Sequence, residues 1–248
     1  MKKLLFTLLI LLSLPVLAQQ GTGKKVLFIG DSVTDGGWGN DVAGLPSAER
    51  NHWDWNHLYG SGYMYLCAAH FMGEEPDKEL QFYNRGISGN TLKNLEDRWQ
   101  TDCLDLHPDV LSILVGTNDI HYWLDEKDRK AFDYTDWYTR YRKLIETTQQ
   151  ACPGVRIILC TPFVGKAGWA GEADTFQERD KAVRTLAGLI KQLAADYQLT
   201  LIPFDEMFDT LLKKYPSQPV SHWCWDGIHP TPATHQRMAD LWIERCGL

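Results

Sequence analysis

The chain has 248 residues, of which 44% are hydrophobic and 12% aromatic, enough for one full-sized hydrophobic core. Its formal net charge of −7 at neutral pH argues against nucleic acids and anionic membranes as partners. The charge does not restrict a neutral substrate.

The first twenty residues, MKKLLFTLLILLSLPVLAQQ, have the layout of a secretory signal peptide. Two lysines precede an apolar run over 4–14, and small residues follow near Ala18. We predict a signal peptide at 1–18 and a single mature domain at 19–248, exported to the periplasm or the medium without a membrane segment. The alternative is an anchoring helix, which the short run and the lack of a following charged flank disfavour.

Five short apolar runs in the mature chain predict β-strands, at 25–30, 80–84, 109–116, 155–162 and 199–205. Between and after them, apolar residues at three- and four-residue steps predict helices, at 91–106, 174–197 and 231–246. Strands that alternate with helices indicate parallel pairing through right-handed crossovers. We therefore predict one doubly wound α/β domain, in which ligands bind at the carboxyl ends of the strands.

All six cysteines fall in the mature part of the chain: Cys67, Cys103, Cys152, Cys160, Cys224 and Cys246. Export would permit disulfides, but the irregular spacings do not determine their connectivity. Cys103 and Cys152 form one possible pair, because each would close a helix just before a strand. Cys160 lies inside an apolar run and is predicted to be a core residue.

The loops that follow the first four strands are rich in glycine, polar and aromatic residues: GDSVTDG, NRGISGN, GTNDIHYW and TPFVGKAGW. In the first of them, Ser32 comes directly after the strand. A serine hydroxyl is a weak nucleophile until a neighbouring base takes its proton. The late segment CWDGIHP places Asp226 three residues before His229, so one turn could supply both the base and the carboxylate that orients it. The alternative is that Asp226 caps a turn and His229 is a surface histidine.

Acyl transfer also requires hydrogen-bond donors for the oxyanion that develops in the transition state. The backbone amides of Ser32 and Gly89 and the side chain of Asn118 could supply them. Taken singly, Gly89 could equally be a turn glycine, and Asn118 a loop asparagine that bonds its own backbone.

Taken together, GDSVTDG, the glycine of ISGN, the asparagine of GTND and DGIHP resemble the SGNH (GDSL) hydrolases in their order and their placement at strand ends. The resemblance covers about residues 25–245. It implies a three-layer α/β/α flavodoxin-like sandwich, with a five-stranded parallel sheet of order 2-1-3-4-5, and a serine esterase that needs no metal or other cofactor. Matched by position, the functional residues are the nucleophile Ser32, the oxyanion donors Ser32, Gly89 and Asn118, the acid Asp226 and the base His229.

Within that family, VLFIGDSVTDGG, YNRGISGNTLKNLEDRW and LSILVGTNDI look most like bacterial acetylxylan esterases. The resemblance implies hydrolysis of O-acetyl esters on plant polysaccharides or oligosaccharides. The segment after the first strand is longer and more aromatic than that pattern. This segment and two neighbouring loops together contain five tryptophans: Trp38, Trp53, Trp55, Trp123 and Trp169. We predict that they form a carbohydrate-binding rim. The alternative is that they pack the loops onto the body of the domain.

Three other functions compete with this interpretation. The first is an esterase, lipase or thioesterase that acts on other short acyl esters. The second is a non-catalytic glycan-binding module, suggested by the aromatic loops. The third is a metal-dependent phosphoesterase, whose ligands would also be His, Asp and Asn on such loops. The histidines at 52, 57, 121 and 222 show no ligand-like spacing, which argues against this third function.

Overall fold

The computed structural model describes residues 23–37, 59–172 and 174–248. Their five strands are β1 (Lys25–Gly30), β2 (Gln81–Gly86), β3 (Val110–Leu114), β4 (Arg156–Cys160) and β5 (Thr200–Ile202). The strands pair in parallel throughout, in the order β2-β1-β3-β4-β5. This order confirms the predicted flavodoxin-like sheet.

Three strands are shorter than the apolar runs that predicted them. β3 begins after Asp109, whose carboxylate accepts a hydrogen bond from the Lys25 amide at 2.8 Å, and it ends two residues before Gly116, where a helix begins. β5 has three residues because Phe204 already starts a helix. The residues at the ends of the predicted strands therefore belong to polar turns or to the first turns of helices.

The helices in the described part of the chain are α1 (Ser32–Asp35), α2 (Tyr63–Glu74), α3 (Leu92–Trp99), α4 (Thr117–Asp125), α5 (Tyr134–Ala151), α6 (Gly168–Glu172), α7 (Phe176–Asp196), α8 (Phe204–Lys214) and α9 (Pro232–Arg245). The predicted helices over 91–106, 174–197 and 231–246 correspond to α3, α7 and α9. A π-helical turn, Gln100–Leu104, continues α3 toward the next strand. None of the described helices is both long and apolar enough to cross a membrane.

Alternate side chains of the strands pack into two separate cores, one on each face of the sheet. Leu27 and Ile29 of β1 pack into the core formed with α3, α5 and α7. Val26 and Phe28 pack into the opposite core, which α2, α8 and α9 close and in which the ring centroids of Trp242 and Phe28 lie 4.7 Å apart. Full burial of a side chain such as Leu27 stabilises the fold by roughly 1.5–3 kcal/mol. The three-layer α/β/α arrangement follows from this double coverage.

All six cysteines are buried free thiols, so the possible Cys103–Cys152 disulfide is not formed. Cys103 lies in the π-helical turn and points into the core, and burial raises the pKa of its thiol to about 12. Cys152 is the residue that caps the C-terminus of α5, and its sulfur lies 3.9 Å from His107 Nδ1. Cys160 is fully buried, which confirms that it is a core residue.

The helices α2 and α3, which precede and follow β2, lie on opposite faces of the sheet. α2 packs in the core of one face, and α3 packs in the core of the other. The order of the strands reverses between β1 and β3, and such a reversal opens a crevice at the carboxyl ends of the two central strands. Ser32 follows β1 and Asn118 follows β3, so both lie at this crevice.

Candidate active site

Ser32 is the first residue of a one-turn helix that begins at the end of β1. Asp31 caps this helix, because its Oδ1 accepts a hydrogen bond from the Val33 amide at 3.0 Å. Gly36 ends the turn with φ of 60°, a left-handed conformation that glycine adopts without strain, and its amide donates to the Ser32 carbonyl. The Ser32 amide has no acceptor within the helix, because the first N–H groups of any helix have none.

Ser32, His229 and Asp226 form a continuous hydrogen-bonded series. Ser32 Oγ lies 2.9 Å from His229 Nε2, and His229 Nδ1 lies 2.7 Å from Asp226 Oδ2. A carboxylate can only accept, so the Nδ1 of a neutral His229 carries the proton and Nε2 accepts from the serine hydroxyl. The structure thus brings together the three residues that the sequence placed at two distant loops.

The Asp226 carboxylate is held by its own turn as well as by the imidazole. Its Oδ1 accepts hydrogen bonds from the Ile228 amide at 2.9 Å and the His229 amide at 2.7 Å. Burial opposes ionisation, but these bonds and the imidazole keep the pKa of Asp226 below its usual value. Gly227, with φ of 93°, allows this tight turn, since a Cβ there would lie 2.6 Å from the Ala167 carbonyl oxygen. Asp226 is therefore an anion in a fixed orientation.

The Gly89 turn and the Asn118 side chain meet on the other side of the crevice. The Asn90 amide closes the turn onto the Ile87 carbonyl at 3.2 Å, and Gly89 has φ of 80°, as the third residue of a type II turn requires. Asn118 Nδ2 donates to the Asn90 carbonyl at 3.1 Å. An amide nitrogen carries two hydrogens, so one remains to donate to a ligand.

Asp119, which the sequence reasoning missed, joins the two loops that carry Gly89 and Asn118. Its carboxylate accepts from the Leu92 amide at 3.1 Å, at the start of α3, and from Trp137 Nε1 at 2.9 Å. Burial raises the pKa of Asp119 to about 6. In the sequence, the only indication of a role for Asp119 was its position as a second polar residue beside Asn118 in GTND. Asp119 thereby fixes the spacing between the turn and the amide side chain.

Asp31 is almost fully buried beside the nucleophile, and burial raises its pKa to about 7. The same group titrates near 3.8 in an unfolded chain, so the folded state binds more protons between these two pH values. The free energy of unfolding should therefore fall as the pH rises from about 4 to about 7.

Asp31→Asn should reduce this loss of stability, because the amide oxygen still caps the Val33 amide while no charge is buried. In the wild type, ionisation of the buried Asp31 lowers the free energy of unfolding by a few kcal/mol at most above pH 7. Melting temperatures of both proteins between pH 5 and pH 8 give the comparison, and substitution of Asn for the exposed Asp77 is the control. Parallel pH profiles for Asp31→Asn and the wild type would contradict the titration of Asp31.

Of the five tryptophans predicted to form the carbohydrate-binding rim, the described residues include Trp123 and Trp169. Trp123 donates its indole N–H to the Lys130 carbonyl at 2.7 Å and packs edge-on against Phe132. It also lines a surface cleft of about 380 Å³ next to Tyr122. Trp38, Trp53 and Trp55 lie outside the described residues, so their role stays a prediction.

The model of the GDSL-like lipase/acylhydrolase family matches residues 28–237. The chain belongs to this family. It is accordingly a carboxylic ester hydrolase, and the family predicted from the sequence is confirmed.

The chain is also similar to known proteins and to solved structures along most of its length. The chain is 30% identical to an acetylxylan esterase of Geobacillus stearothermophilus, over 92% of this chain and 95% of the relative. The crystal structure of the Geobacillus stearothermophilus enzyme has a TM-score of 0.73 at 27% identity, covering 92% of this chain and 96% of the other. A GDSL-like lipase candidate from Parabacteroides merdae has a TM-score of 0.70 at 31% identity, covering 89% and 94%.

Further structures of the Geobacillus enzyme are of catalytic mutants. A serine, an aspartate or a histidine is replaced by alanine in them, and the aspartate precedes the histidine by three positions in that enzyme. Asp226 and His229 have the same spacing in this member of the family.

Proposed function

We propose that the protein is an exported serine esterase that removes O-acetyl groups from plant polysaccharides or oligosaccharides. The observation that carries the proposal is the hydrogen-bonded series from Ser32 Oγ through His229 to Asp226, with distances of 2.9 and 2.7 Å. Similarity to an acetylxylan esterase along 92% of the chain supports the acetyl group and the carbohydrate.

In the first half of the reaction, Ser32 Oγ attacks the carbonyl carbon of the acetyl ester while His229 Nε2 takes the hydroxyl proton. Negative charge develops on the carbonyl oxygen, and the amides of Ser32 and Gly89 and the Asn118 side chain donate to it. The intermediate collapses with cleavage of the bond to the sugar oxygen. His229 gives its proton to that oxygen, so the deacetylated sugar leaves and Ser32 carries the acetyl group.

In the second half, water replaces the sugar. His229 Nε2 takes a proton from the water as its oxygen attacks the acetyl carbon, and the same donors hold the oxyanion. Collapse releases acetic acid, while the proton on His229 returns to Ser32 Oγ. Asp226 stabilises the imidazolium in both halves and keeps its Nδ1 proton in place.

Export is part of the proposal and rests on residues 1–18, which have the composition of a signal peptide. Outside the cytoplasm the enzyme would meet polysaccharide fragments too large to cross a membrane. The intact mass of the purified protein would locate the cleavage site, which we expect directly after Ala18.

The substrate is tested by measuring acetate released from acetylated xylan, acetylated xylo-oligosaccharides, pectin, mannan and O-acetylated sialic acid. We expect the fastest release from the xylan-derived substrates. A parallel series of p-nitrophenyl esters from acetate to decanoate should show the highest kcat/KM for acetate. Both assays are repeated with Ser32→Ala and with a chelator.

Each competing function has its own outcome in this experiment. Preference for long acyl chains without release of acetate from glycans would indicate a lipase or thioesterase. Glycan binding with no hydrolysis of any ester would indicate a binding module. Loss of activity with the chelator, restored by a divalent metal ion, would indicate the metal-dependent enzyme. In the described residues, no group of three or more His, Cys, Asp or Glu side chains is arranged to hold a metal ion.

A further inference from the structure

Three ring side chains form a row along the edge of the candidate active site. We name Tyr122, His121 and Trp169 the aromatic row. The ring of His121 lies 5.3 Å from that of Tyr122 and 5.1 Å from that of Trp169, measured between centroids. Tyr122 and Trp169 are each 48% exposed, although large aromatic side chains are usually buried. Both therefore present ring surface that a ligand can cover.

Each end of the aromatic row contacts a group that the proposed reaction uses. At one end, a Cβ on Gly89 would lie 2.9 Å from the Tyr122 hydroxyl oxygen, so Tyr122 borders the turn that offers an oxyanion donor. At the other end, Trp169 Nε1 donates to Asp226 Oδ2 at 3.3 Å. The row therefore follows the edge of the crevice from the oxyanion donors to the acid.

The backbone around Trp169 is fixed to the turn that contains Asp226. The Ala170 amide donates to the Asp226 carbonyl at 3.1 Å. A Cβ on Gly168 would lie 2.5 Å from Asp226 Cα, so only glycine permits this contact. Trp169 is thus held at a set position relative to the catalytic groups, although it lies on a five-residue helix.

A buried arginine contacts both Trp169 and His121 of the aromatic row and determines the tautomer of the histidine. Arg179 is 2% exposed, and its guanidinium lies 5.5 Å from the Trp169 ring centroid and, through Nη1, 3.2 Å from His121 Nδ1. Arginine can only donate, so Nδ1 of His121 accepts and its Nε2 carries the proton. Burial and the nearby guanidinium lower the pKa of His121, which keeps the ring neutral.

Among the described residues, the Nε2–H group of His121 makes no hydrogen bond. The nearest carboxylate oxygen, Asp125 Oδ2, lies 3.8 Å away, beyond the length of a good hydrogen bond. The row therefore offers two exposed ring faces with a hydrogen-bond donor between them. A pyranose ring needs this combination, because its C–H faces are apolar and its edge carries hydroxyl groups. An acyl chain would use the faces but leave the donor without a partner.

We propose that the aromatic row is the platform that binds the pyranose ring carrying the acetyl ester. The inference rests on the proposed function and names the residues that select its substrate. Tyr122 and Trp169 stack on the sugar, and the His121 Nε2–H donates to one of its oxygens. The small leaving group of p-nitrophenyl acetate does not need the platform, so the row should act on sugar esters selectively.

The test compares kcat/KM for acetylated xylo-oligosaccharides with kcat/KM for p-nitrophenyl acetate in the same variants. Tyr122→Ala and Trp169→Ala should each lower the ratio of the two values about five-fold, and the double variant about twenty-fold. Trp169→Phe keeps a ring face but loses the donor to Asp226. It should therefore keep most of the ratio while it slows both substrates alike. Tyr65→Ala is the control, because Tyr65 is 39% exposed on α2, away from the row.

The outcomes separate failure of the platform from failure of the proposed function. An unchanged ratio in Tyr122→Ala and Trp169→Ala, with active and stably folded protein, would overturn the platform and leave the esterase proposal intact. A wild-type enzyme that hydrolyses p-nitrophenyl acetate but releases no acetate from any glycan would overturn both. A five-fold fall of the ratio in Tyr65→Ala as well would also overturn the platform, because the effect would then not be local.

Discussion

Ser32→Ala and His229→Ala should each lower kcat for p-nitrophenyl acetate by about four to six orders of magnitude, without lowering the melting temperature appreciably. The hydroxyl and the imidazole act as one unit, since the serine cannot attack while it keeps its proton. Each substitution removes one end of the 2.9 Å hydrogen bond and should cost as much as removing both. The double variant should therefore be no slower than either single variant.

Asp226→Ala should cost less, about four orders of magnitude, because the hydroxyl and imidazole remain in contact. Ser88→Ala tests whether the serine beside Gly89 is the nucleophile instead, and Ser217→Ala in an exposed turn is the control for serine substitution in general. We would measure steady-state kinetics on all variants. Each variant is purified separately, so that traces of wild-type enzyme do not contribute to its activity. Retention of more than about a tenth of wild-type kcat by Ser32→Ala would refute the nucleophile assignment.

Ser32, Asp226 and His229 were predicted to act together because four loop motifs jointly resemble those of the SGNH (GDSL) hydrolases, whereas each motif alone left a structural alternative open. Ser32 directly follows an apolar strand, and Asp226 and His229 share one four-residue turn. Parallel strands place their carboxyl ends at one edge of the sheet, which accounts for the position of Ser32 after β1, whereas the turn of Asp226 and His229 comes after α8 and its placement was implied by the family resemblance.

The groups that hold the site in place could not be predicted in the same way. The bond from the Leu92 amide to Asp119 spans 27 residues, and that from Trp169 to Asp226 spans 57. Each depends on how two elements dock, which periodicity does not encode. The buried Arg179 is a further example, because a charged residue in an amphipathic helix is expected on the solvent side.

The sequence patterns also did not predict the residues at which helices and strands end. The segment over 91–106 has helical periodicity throughout, but the chain changes to a π-helical turn at Gln100–Leu104. Cys103 lies in this turn as a buried free thiol, so the predicted position of the helix end did not determine whether it pairs with Cys152. In β5, the apolar run continues through Phe204, whose burial in a helix is as favourable as burial in a strand.

Asn118→Ala should lower kcat by about a hundred- to a thousand-fold while KM changes little. The Nδ2 group has one hydrogen on the Asn90 carbonyl, at 3.1 Å, and the second is free for the oxyanion. The oxyanion forms in the transition state and is absent from the bound ester. Loss of its donor therefore raises the barrier to reaction without weakening substrate binding.

Asn118 also contacts the Gly89 turn, so its removal could act by displacing that turn. Asp119→Asn is the matched control, because it changes the adjacent residue of α4 and weakens the link to Leu92 without removing a donor from the crevice. We expect it to lower kcat less than ten-fold, on the scale of one weakened neutral hydrogen bond. An equal loss of kcat in Asp119→Asn and in Asn118→Ala would indicate that Asn118 acts by holding the loops in position and not by donating to the oxyanion. If Asn118→Ala raised KM and left kcat unchanged, Asn118 would bind the ester in its ground state, and the oxyanion would depend on the two backbone amides alone.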